Sequence, residues 1–280
     1  MVKFGIYSPN FGTGMEPGIM AELAVEAEAA GWDGFFIWDH VLYSKSQRLT
    51  ILDPWITLST IAVRTEKIKI GALLTPIARR RPWKLARETA TLDRLSNGRL
   101  IFAAGLGAPV DAEYERFGEE GNEKIIAEKL DEGLDILTGL WRGKNFKYQG
   151  KHFQVSPTTF LPTPIQQPRI PIWIGGFWPN KPPIRRAARW DGVFPLKTGG
   201  SIRASDINKI KEYISLYRKS DEPYDIIVTG KTPSEDPEKT NKKIRPFIRA
   251  GLTWWLESIY GFRNDPDAML KRIKSGPPEI

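Results

Sequence analysis

The sequence contains no cysteine and only two histidines, His40 and His152. The missing thiols exclude disulfides, zinc sites built from cysteine, iron–sulfur clusters and a cysteine nucleophile. Two histidines are too few to suggest a transition-metal site built from side chains, so we expect no bound metal. Any redox chemistry therefore requires a bound organic cofactor.

Long apolar runs are also lacking. No run approaches the roughly 18 residues of a membrane span, and the opening MVKFGIYSPNFG has no signal-peptide pattern, so we expect a cytoplasmic protein that does not bind membranes. The formal net charge is +8, but the basic residues are scattered and no nucleic-acid motif accompanies them. We therefore expect a small organic partner rather than nucleic acid.

The densest basic run is Arg79 to Arg81, directly before Pro82. Pro82 is expected to begin a helix, and cations at a helix start oppose its dipole. The run is therefore interpreted as a solvated face, with contact to a ligand phosphate as the alternative.

Short apolar runs alternate with segments of helical periodicity eight times along the chain. The first unit pairs KFGIYS with a helix from Glu16 to Ala30, which Gly31 ends. A hairpin around Gln149 and a proline-rich extended segment separate the fourth and fifth units. Eight such units indicate an α/β protein, a (β/α)8 barrel forming one domain over residues 1–280.

Active sites of such barrels lie at the carboxyl ends of the strands. The predicted ends are, in chain order, Pro9–Asn10, Asp39–His40, Thr75–Pro76, Gly105 with Gly107, Gly175–Gly176, Lys197–Gly200, Gly230–Lys231 and Glu257. Glycines let backbone N–H groups approach a phosphate, and Lys197 adds a cation beside them. Each glycine pair could equally be a plain turn.

Asp39 and His40 are the strongest candidates for chemistry. A histidine at a strand end can donate or accept a proton near neutral pH, and Asp39 could hold its tautomer. The alternative is a structural hydrogen-bonded pair, and His152, in the hairpin, is expected to be structural.

No G-x-S-x-G elbow or paired acids support a serine hydrolase or glycosidase. A Schiff-base lyase using Lys197 or Lys231 stays open.

Several longer motifs occur in one order along nearly the whole chain: AEAAGWDGFFIWDHV, the segment from LDPWITLSTIAVRT to RLIFAAGLG, EYERFG, EKLDEGLDILTGLWRG, YQGKHF, PIWIGG, ARWDGVFP, AGLTWWLES and RIKSGPP. In this combination the chain resembles the luciferase-like flavin-dependent oxidoreductases. That family includes bacterial-luciferase-type monooxygenases and deazaflavin-dependent dehydrogenases and reductases.

The resemblance implies a barrel, usually dimeric, that holds FMN or the deazaflavin coenzyme F420 at the strand ends. By resemblance, His40 lies over the reactive part of the ring with Asp39 beside it. Leu73 and Thr75 would back the ring, with a non-proline cis peptide near Ala72–Leu73. The residues that the resemblance places on the phosphate side are Gly105, Gly107, Gly175, Gly176, Thr198 and Gly199. Lys197 is expected to join them because of its charge.

One departure limits the transfer. Deazaflavin-dependent sugar-phosphate dehydrogenases carry a glutamate general acid just after the fourth strand's glycines, where this chain has Ala108 and Pro109. That activity is therefore not expected. The remaining hypothesis is hydride transfer to or from an organic substrate, or monooxygenation if the cofactor is FMN. The alternatives are a catalytically silent barrel that binds flavin and the lysine-dependent lyase.

Overall fold

Parallel strands form a barrel in this computed structural model, which describes residues 1–43, 48–233, 235–260 and 265–280. The described strands are β1 (Lys3–Ser8), β2 (Gly34–Ile37), β3 (Lys69–Ala72), β4 (Thr75–Pro76), β5 (Phe102–Gly105), β6 (Phe146–Gln149), β7 (Gln154–Thr158), β8 (Ile172–Phe177), β9 (Gly192–Leu196), β10 (Asp225–Gly230) and β11 (Trp254–Ser258). In the described part, the main sheet runs β3-β2-β1-β11-β10-β9-β8-β5-β4.

The sheet closes on itself. A parallel bridge joins Ile70 of β3 to Leu100, just before β5, and β4 continues the third barrel strand by pairing with β5. Counting β3 and β4 as one strand gives the eight predicted barrel strands in the described residues, so the (β/α)8 prediction is confirmed.

Helices cover the outer face of the barrel. They are α1 (Pro17–Ala29), α2 (Pro54–Arg64), α3 (Pro82–Leu95), α4 (Val110–Glu113), α5 (Glu123–Trp141), α6 (Lys181–Ala187), α7 (Ala204–Ser215), α8 (Pro237–Ala250) and α9 (Pro266–Lys274), with 3-10 turns at Ile77–Arg79 and Glu115–Phe117. Asp53 caps α2 by accepting from the Ile56 N–H, and Pro54 fills the first helical position, where no N–H is needed. None of the helices described is both long and apolar enough to cross a membrane.

Apolar side chains fill two layers, because successive residues of a strand point to opposite faces. The larger core lies between sheet and helices. A separate cluster fills the barrel interior: Phe36, Leu73, Ile101, Ala103, Trp173, Phe194, Ile227, Trp254 and Leu256. Tyr7, Leu74 and Leu196 pack against this inner cluster. They come from the carboxyl halves of their strands and form the floor of the barrel mouth.

The hairpin predicted between the fourth and fifth units is present as antiparallel β6 and β7. The Glu132 carboxylate accepts hydrogen bonds from the backbone N–H groups of Lys151, His152 and Phe153. The Nε2 atom of His152 lies 2.8 Å from Glu128 Oε2. His152 therefore fastens the hairpin to α5, as expected for a structural residue.

A non-proline cis peptide interrupts the third barrel strand. It joins Leu73 to Leu74, one residue later than the Ala72–Leu73 position that the resemblance implies. Leu73 belongs to the inner cluster, and Leu74 packs against it. The strand then resumes as β4.

Candidate active site

His40 follows β2 at the carboxyl end of the barrel, and a buried asparagine fixes its backbone. The amide Nδ2 of Asn10, after β1, donates to the carbonyls of His40 at 3.0 Å and Leu52 at 2.7 Å. The His40 N–H donates back to Asn10 Oδ1 at 3.3 Å. Asn10 is fully buried, so this clamp is shielded from water and ties the loop after β1 to two points of the loop after β2.

Asp39 is buried between two guanidinium groups. Arg80 Nη2 lies 2.9 Å from both oxygens of the carboxylate, and Arg79 Nη2 donates to Asp39 Oδ1 and to its main-chain carbonyl. The interpretation of the basic run as a solvated face is therefore wrong for Arg79 and Arg80. It holds for Arg81, which is exposed. The two arginines turn inward because Asp39, with 4% of its surface exposed, needs charged partners away from water.

Glu113 completes this network from the short helix α4. Its Oε1 lies 2.7 Å from His40 Nδ1 and its Oε2 3.0 Å from Arg79 Nε. Burial works to lower the pKa of Arg79, but Asp39 and Glu113 outweigh it, and the pKa of Arg79 is raised. Arg79 thus stays charged between two carboxylates. We call Asp39, Arg79, Arg80 and Glu113 the charge network.

The sequence predictions missed Glu113. Glu113 is the first residue of the EYERFG motif. That motif supports the family resemblance, but it assigns no role to any single residue. Its side chain meets His40 across 73 positions of sequence, a pairing that no local pattern encodes. The chain has no acid at Ala108 or Pro109. Glu113 follows them on a four-residue helix and contacts the histidine from there.

The charge network, through Glu113, determines which ring nitrogen of His40 carries the proton. Because the Glu113 carboxylate accepts only, a neutral His40 ring carries its proton on Nδ1 and leaves Nε2 free to accept one. The His40 side chain is 17% exposed, so the ring is accessible from the barrel mouth. A histidine held in one tautomer with its second nitrogen accessible can act as a general base or, when protonated, as a general acid.

Aromatic rings surround His40 on one side of the mouth. We call Phe11, Trp38, Tyr43 and Tyr260 the aromatic arc. The His40 ring centroid lies 5.1 Å from Tyr43, 5.6 Å from Trp38 and 6.0 Å from Phe11, and Tyr260 lies 5.1 Å from Trp38. The four rings come from the loops after β1, β2 and β11, which are neighbouring strands.

The predicted glycines occupy another sector of the mouth, at the ends of β5, β8 and β9, which are also neighbours. We call Gly105, Gly107, Gly175, Gly176 and Gly199 the glycine arc. Three of its members allow close packing: an added Cβ would lie 2.7 Å from Leu74 at Gly105, 2.1 Å from Leu74 at Gly175, and 2.2 Å from Pro183 at Gly176. These glycines therefore let Leu74 and helix α6 approach the strands.

Gly107 and Gly199 have different surroundings. Gly107 has a φ of +85° and its added Cβ would lie 2.9 Å from Pro76, so it serves a tight turn. Gly199 has a φ of +68° and no atom within 4 Å of an added Cβ, while Thr198 and Gly199 are exposed. This part of the rim has room for a ligand.

Two predicted strand-end residues face away from the mouth. Thr75 pairs in register with Ala104, which belongs to the core beneath the helices, so the Thr75 side chain lies on the helix side and only main-chain atoms could meet a cofactor. Glu257 is fully buried and accepts hydrogen bonds from Thr232 N–H and Oγ1 and from Arg272 Nε. It anchors α9 to the barrel.

The two candidate lysines are both engaged. Lys197 Nζ lies 2.9 Å from Asp206 Oδ2, in the capping box that begins α7. Lys231 Nζ donates to the Tyr260 carbonyl at 2.9 Å. An ammonium group held by such partners does not attack a carbonyl, so the geometry gives the lyase alternative no support.

The chain belongs to the luciferase-like monooxygenase family, whose model matches residues 2–273. Among curated relatives, it is 30% identical over 162 residues to the oxygenase component of the flavin-dependent trigonelline monooxygenase of Acinetobacter baylyi, a match covering 58% of this chain and 43% of that protein. It is also 30% identical over 168 residues to the F420-dependent glucose-6-phosphate dehydrogenase of Microbacterium testaceum, covering 58% and 48%. The chain thus spans about half the length of the curated relatives it matches.

Solved structures share the fold. The F420-dependent tetrahydromethanopterin reductase of Methanopyrus kandleri superposes with a TM-score of 0.77 at 18% identity, covering 98% of both chains. The oxygenating constituent of 3,6-diketocamphane monooxygenase of Pseudomonas putida gives 0.79 at 17% identity, covering 98% of this chain and 96% of that one. At these identities the likeness establishes the barrel architecture alone.

Removing Glu113 should change the tautomer of His40. In the native protein we expect neutral His40 to carry its proton on Nδ1 and neutral His152 on Nε2, because each of these nitrogens faces a glutamate. Glu113→Met should shift His40 toward the Nε2-protonated form. Nitrogen NMR of labelled histidine, at a pH where both rings are neutral, measures both residues in one spectrum.

The matched control is Glu115→Met, at an exposed glutamate two residues further along, and it should leave both tautomers unchanged. His152 is an internal reference in every sample. If His40 in Glu113→Met kept its native tautomer, the orienting role of Glu113 would be wrong.

Proposed function

We propose that this protein is an oxidoreductase that binds coenzyme F420 or FMN at the barrel mouth. It would exchange a hydride with a small organic substrate or, with FMN, insert oxygen into it. The observation that carries the proposal is the position of His40 at the barrel mouth, where Asn10 holds its backbone and Glu113 holds its ring. The curated relatives include a flavin-dependent and an F420-dependent enzyme, which supports both cofactors.

The residues at the mouth fit such a group. Leu74 offers an apolar floor for a planar ring together with Tyr7 and Leu196, while Leu73 lies buried beneath it and the main chain of Thr75 follows. The indole Nε1 of Trp38 is buried and has no hydrogen-bond partner among the residues described. A buried donor without a partner costs about 1–3 kcal/mol, so a ligand acceptor at this point would be stabilising. The open space at Gly199 suits the polar chain of a cofactor, and the unsatisfied Trp38 donor suits a heteroatom of a bound ligand.

The phosphate-bearing chain would lie along the glycine arc. Gly199 leaves open space there, and the exposed Thr198 adds a hydroxyl donor. Lys197 Nζ is paired with Asp206 but has further N–H donors, from which a phosphate oxygen could accept. The bound cofactor supplies the hydride or oxygen chemistry, which no side chain of this cysteine-free protein can provide.

His40 would transfer the proton that accompanies this chemistry. With Nδ1 held by Glu113, Nε2 can take the hydroxyl proton of an alcohol as its carbon is oxidised, or return one in the reverse direction. Asp39 would act through the arginines: it holds Arg79, and Arg79 in turn lies against Glu113. We assign Asp39 and Glu113 positioning roles and His40 the catalytic one.

The experiment is a titration of the purified protein with FMN and with coenzyme F420, followed by the visible absorbance of the ring. We expect saturable binding of one of them. His40→Ala should keep cofactor binding within about threefold but lower turnover by about 10²- to 10⁴-fold, the usual contribution of a proton-transfer residue. Turnover is measured as a change in cofactor absorbance with a panel of alcohols, aldehydes and ketones.

His152→Ala provides the matched control, because it removes the other histidine of the chain at a distant structural site. It should leave both cofactor binding and turnover unchanged. Absence of binding of either cofactor would refute the proposed function. Binding with no turnover in the native protein would favour the silent flavin-binding barrel.

We further propose that the protein forms a homodimer through α2 and α3, the state that the family resemblance implies. Ile56 and Val63 lie two turns apart on one face of α2 and are 66% and 63% exposed. Trp83 and Leu95 are exposed on α3, which packs beside α2. An apolar surface of this kind is typical of an interface between subunits.

Light scattering should give about twice the 31.7 kDa chain mass for the native protein. The double variant Ile56→Lys with Val63→Lys should give the monomer mass with unchanged circular dichroism, because two buried charges would oppose the contact. Leu216→Lys, at a residue that is 70% exposed beyond α7, is the control and should stay dimeric. A native monomer would contradict the proposal.

A further inference from the structure

The aromatic arc adds rings beyond those that fill the barrel interior. The inner cluster already fills the barrel, and Tyr7 marks its upper limit, 5.4 Å from the Trp38 ring. Above that level Phe11 and Tyr43 stack at 4.5 Å, and Phe11 and Trp38 meet edge to face at 5.6 Å. Rings from three separate loops thus form a second aromatic layer directly beside His40.

This layer is open to a ligand at one end. Tyr260 is 42% exposed and Trp38 and Tyr43 are half-buried, whereas Phe11 is buried behind them. Exposed aromatic surface next to a proton-transfer residue is typical of a pocket whose ligand completes the burial. Exposed aromatic rings prefer a planar partner, which can stack on them or meet them edge to face.

The charges around the arc favour a neutral ligand. Arg79 and Arg80 are bound to Asp39, and Lys231 lies 4.8 Å from the Tyr260 ring while donating to its carbonyl. Burial raises the pKa of Tyr7 beneath the arc, and Tyr260 and Tyr43 raise it further. A site whose cations are already paired offers little to a phosphate or carboxylate, which would lose its hydration there without gaining a free counter-charge.

We propose that the aromatic arc is the substrate-binding wall of this site and that it selects a neutral, planar molecule, an aromatic or conjugated alcohol or carbonyl compound, over sugar phosphates. This assignment rests on the proposed function, because it places the reacting carbon between His40 and the cofactor. The glycine arc would hold the cofactor and the aromatic arc the substrate, on different sectors of one mouth.

The experiment compares two alcohols of equal ring size, benzyl alcohol and cyclohexylmethanol, with glucose 6-phosphate as the charged competitor. Binding to the cofactor-loaded protein is measured by saturation-transfer NMR of the small molecule. We expect benzyl alcohol to bind about fivefold or more tightly than cyclohexylmethanol, the ratio that one or two ring contacts provide. Excess glucose 6-phosphate should not displace it.

Substitutions of single tyrosines show where on the protein benzyl alcohol binds. Tyr260→Ala should weaken benzyl alcohol binding about fivefold, and Tyr260→Phe, which keeps the ring, should restore it. Tyr217→Ala is the matched control, since Tyr217 has the same 42% exposure but lies beyond α7, and it should have no effect. Both tyrosines are exposed, so neither change is expected to prevent folding.

Equal binding of the two alcohols, displacement by glucose 6-phosphate, or an unaffected Tyr260→Ala variant would overturn the assignment. Cofactor loading is followed separately by visible absorbance. A protein that binds neither FMN nor F420 therefore refutes the proposed function, whereas a loaded protein without ring preference refutes only the substrate class.

Discussion

The site depends on one buried contact, the Asp39 carboxylate held by Arg79 and Arg80. It joins the loop after β2 to the turn after β4 across 40 positions of sequence. Arg79 then extends to Glu113 on α4, and Glu113 holds the ring of His40. Neither carboxylate could stay buried without the arginines, because an unpaired charge away from water is strongly destabilising. Three loops are thereby fixed around the residue proposed to move the proton.

The order of strands separates the two kinds of surface at the mouth. The loops of β2, β1 and β11 are adjacent and supply the aromatic arc, whereas β9, β8 and β5 are adjacent and supply the glycine arc. Gly199 leaves open space on one side, and large aromatic rings line the other. His40 lies among the rings, at the sector where an organic substrate would meet a cofactor whose chain extends along the glycines.

The sequence predicted those features that depend on local pattern. Apolar runs and helix starts such as Asp53–Pro54 determine the eight strand-helix units, and the barrel rule then places Asp39–His40 at the mouth. Features that depend on long-range pairing were not predictable. The inward turn of Arg79 and Arg80 requires the buried partner Asp39, and Glu113 reaches His40 from a helix too short for a periodic signal. Thr75 faces the helix side because it pairs in register with Ala104 of the core beneath the helices, a pairing that no local pattern encodes.

The free energy of unfolding of Asp39→Asn, measured in urea, tests the central contact most directly, because asparagine keeps the shape and removes the charge. Breaking a buried ion pair by changing one partner typically costs about 3–5 kcal/mol, and we expect a loss in that range. Glu88→Gln removes one carboxylate from the exposed Lys84–Glu88 pair and should cost about 1 kcal/mol or less. If Asp39→Asn lost no more than this exposed control, the charge network would not be what holds the site together.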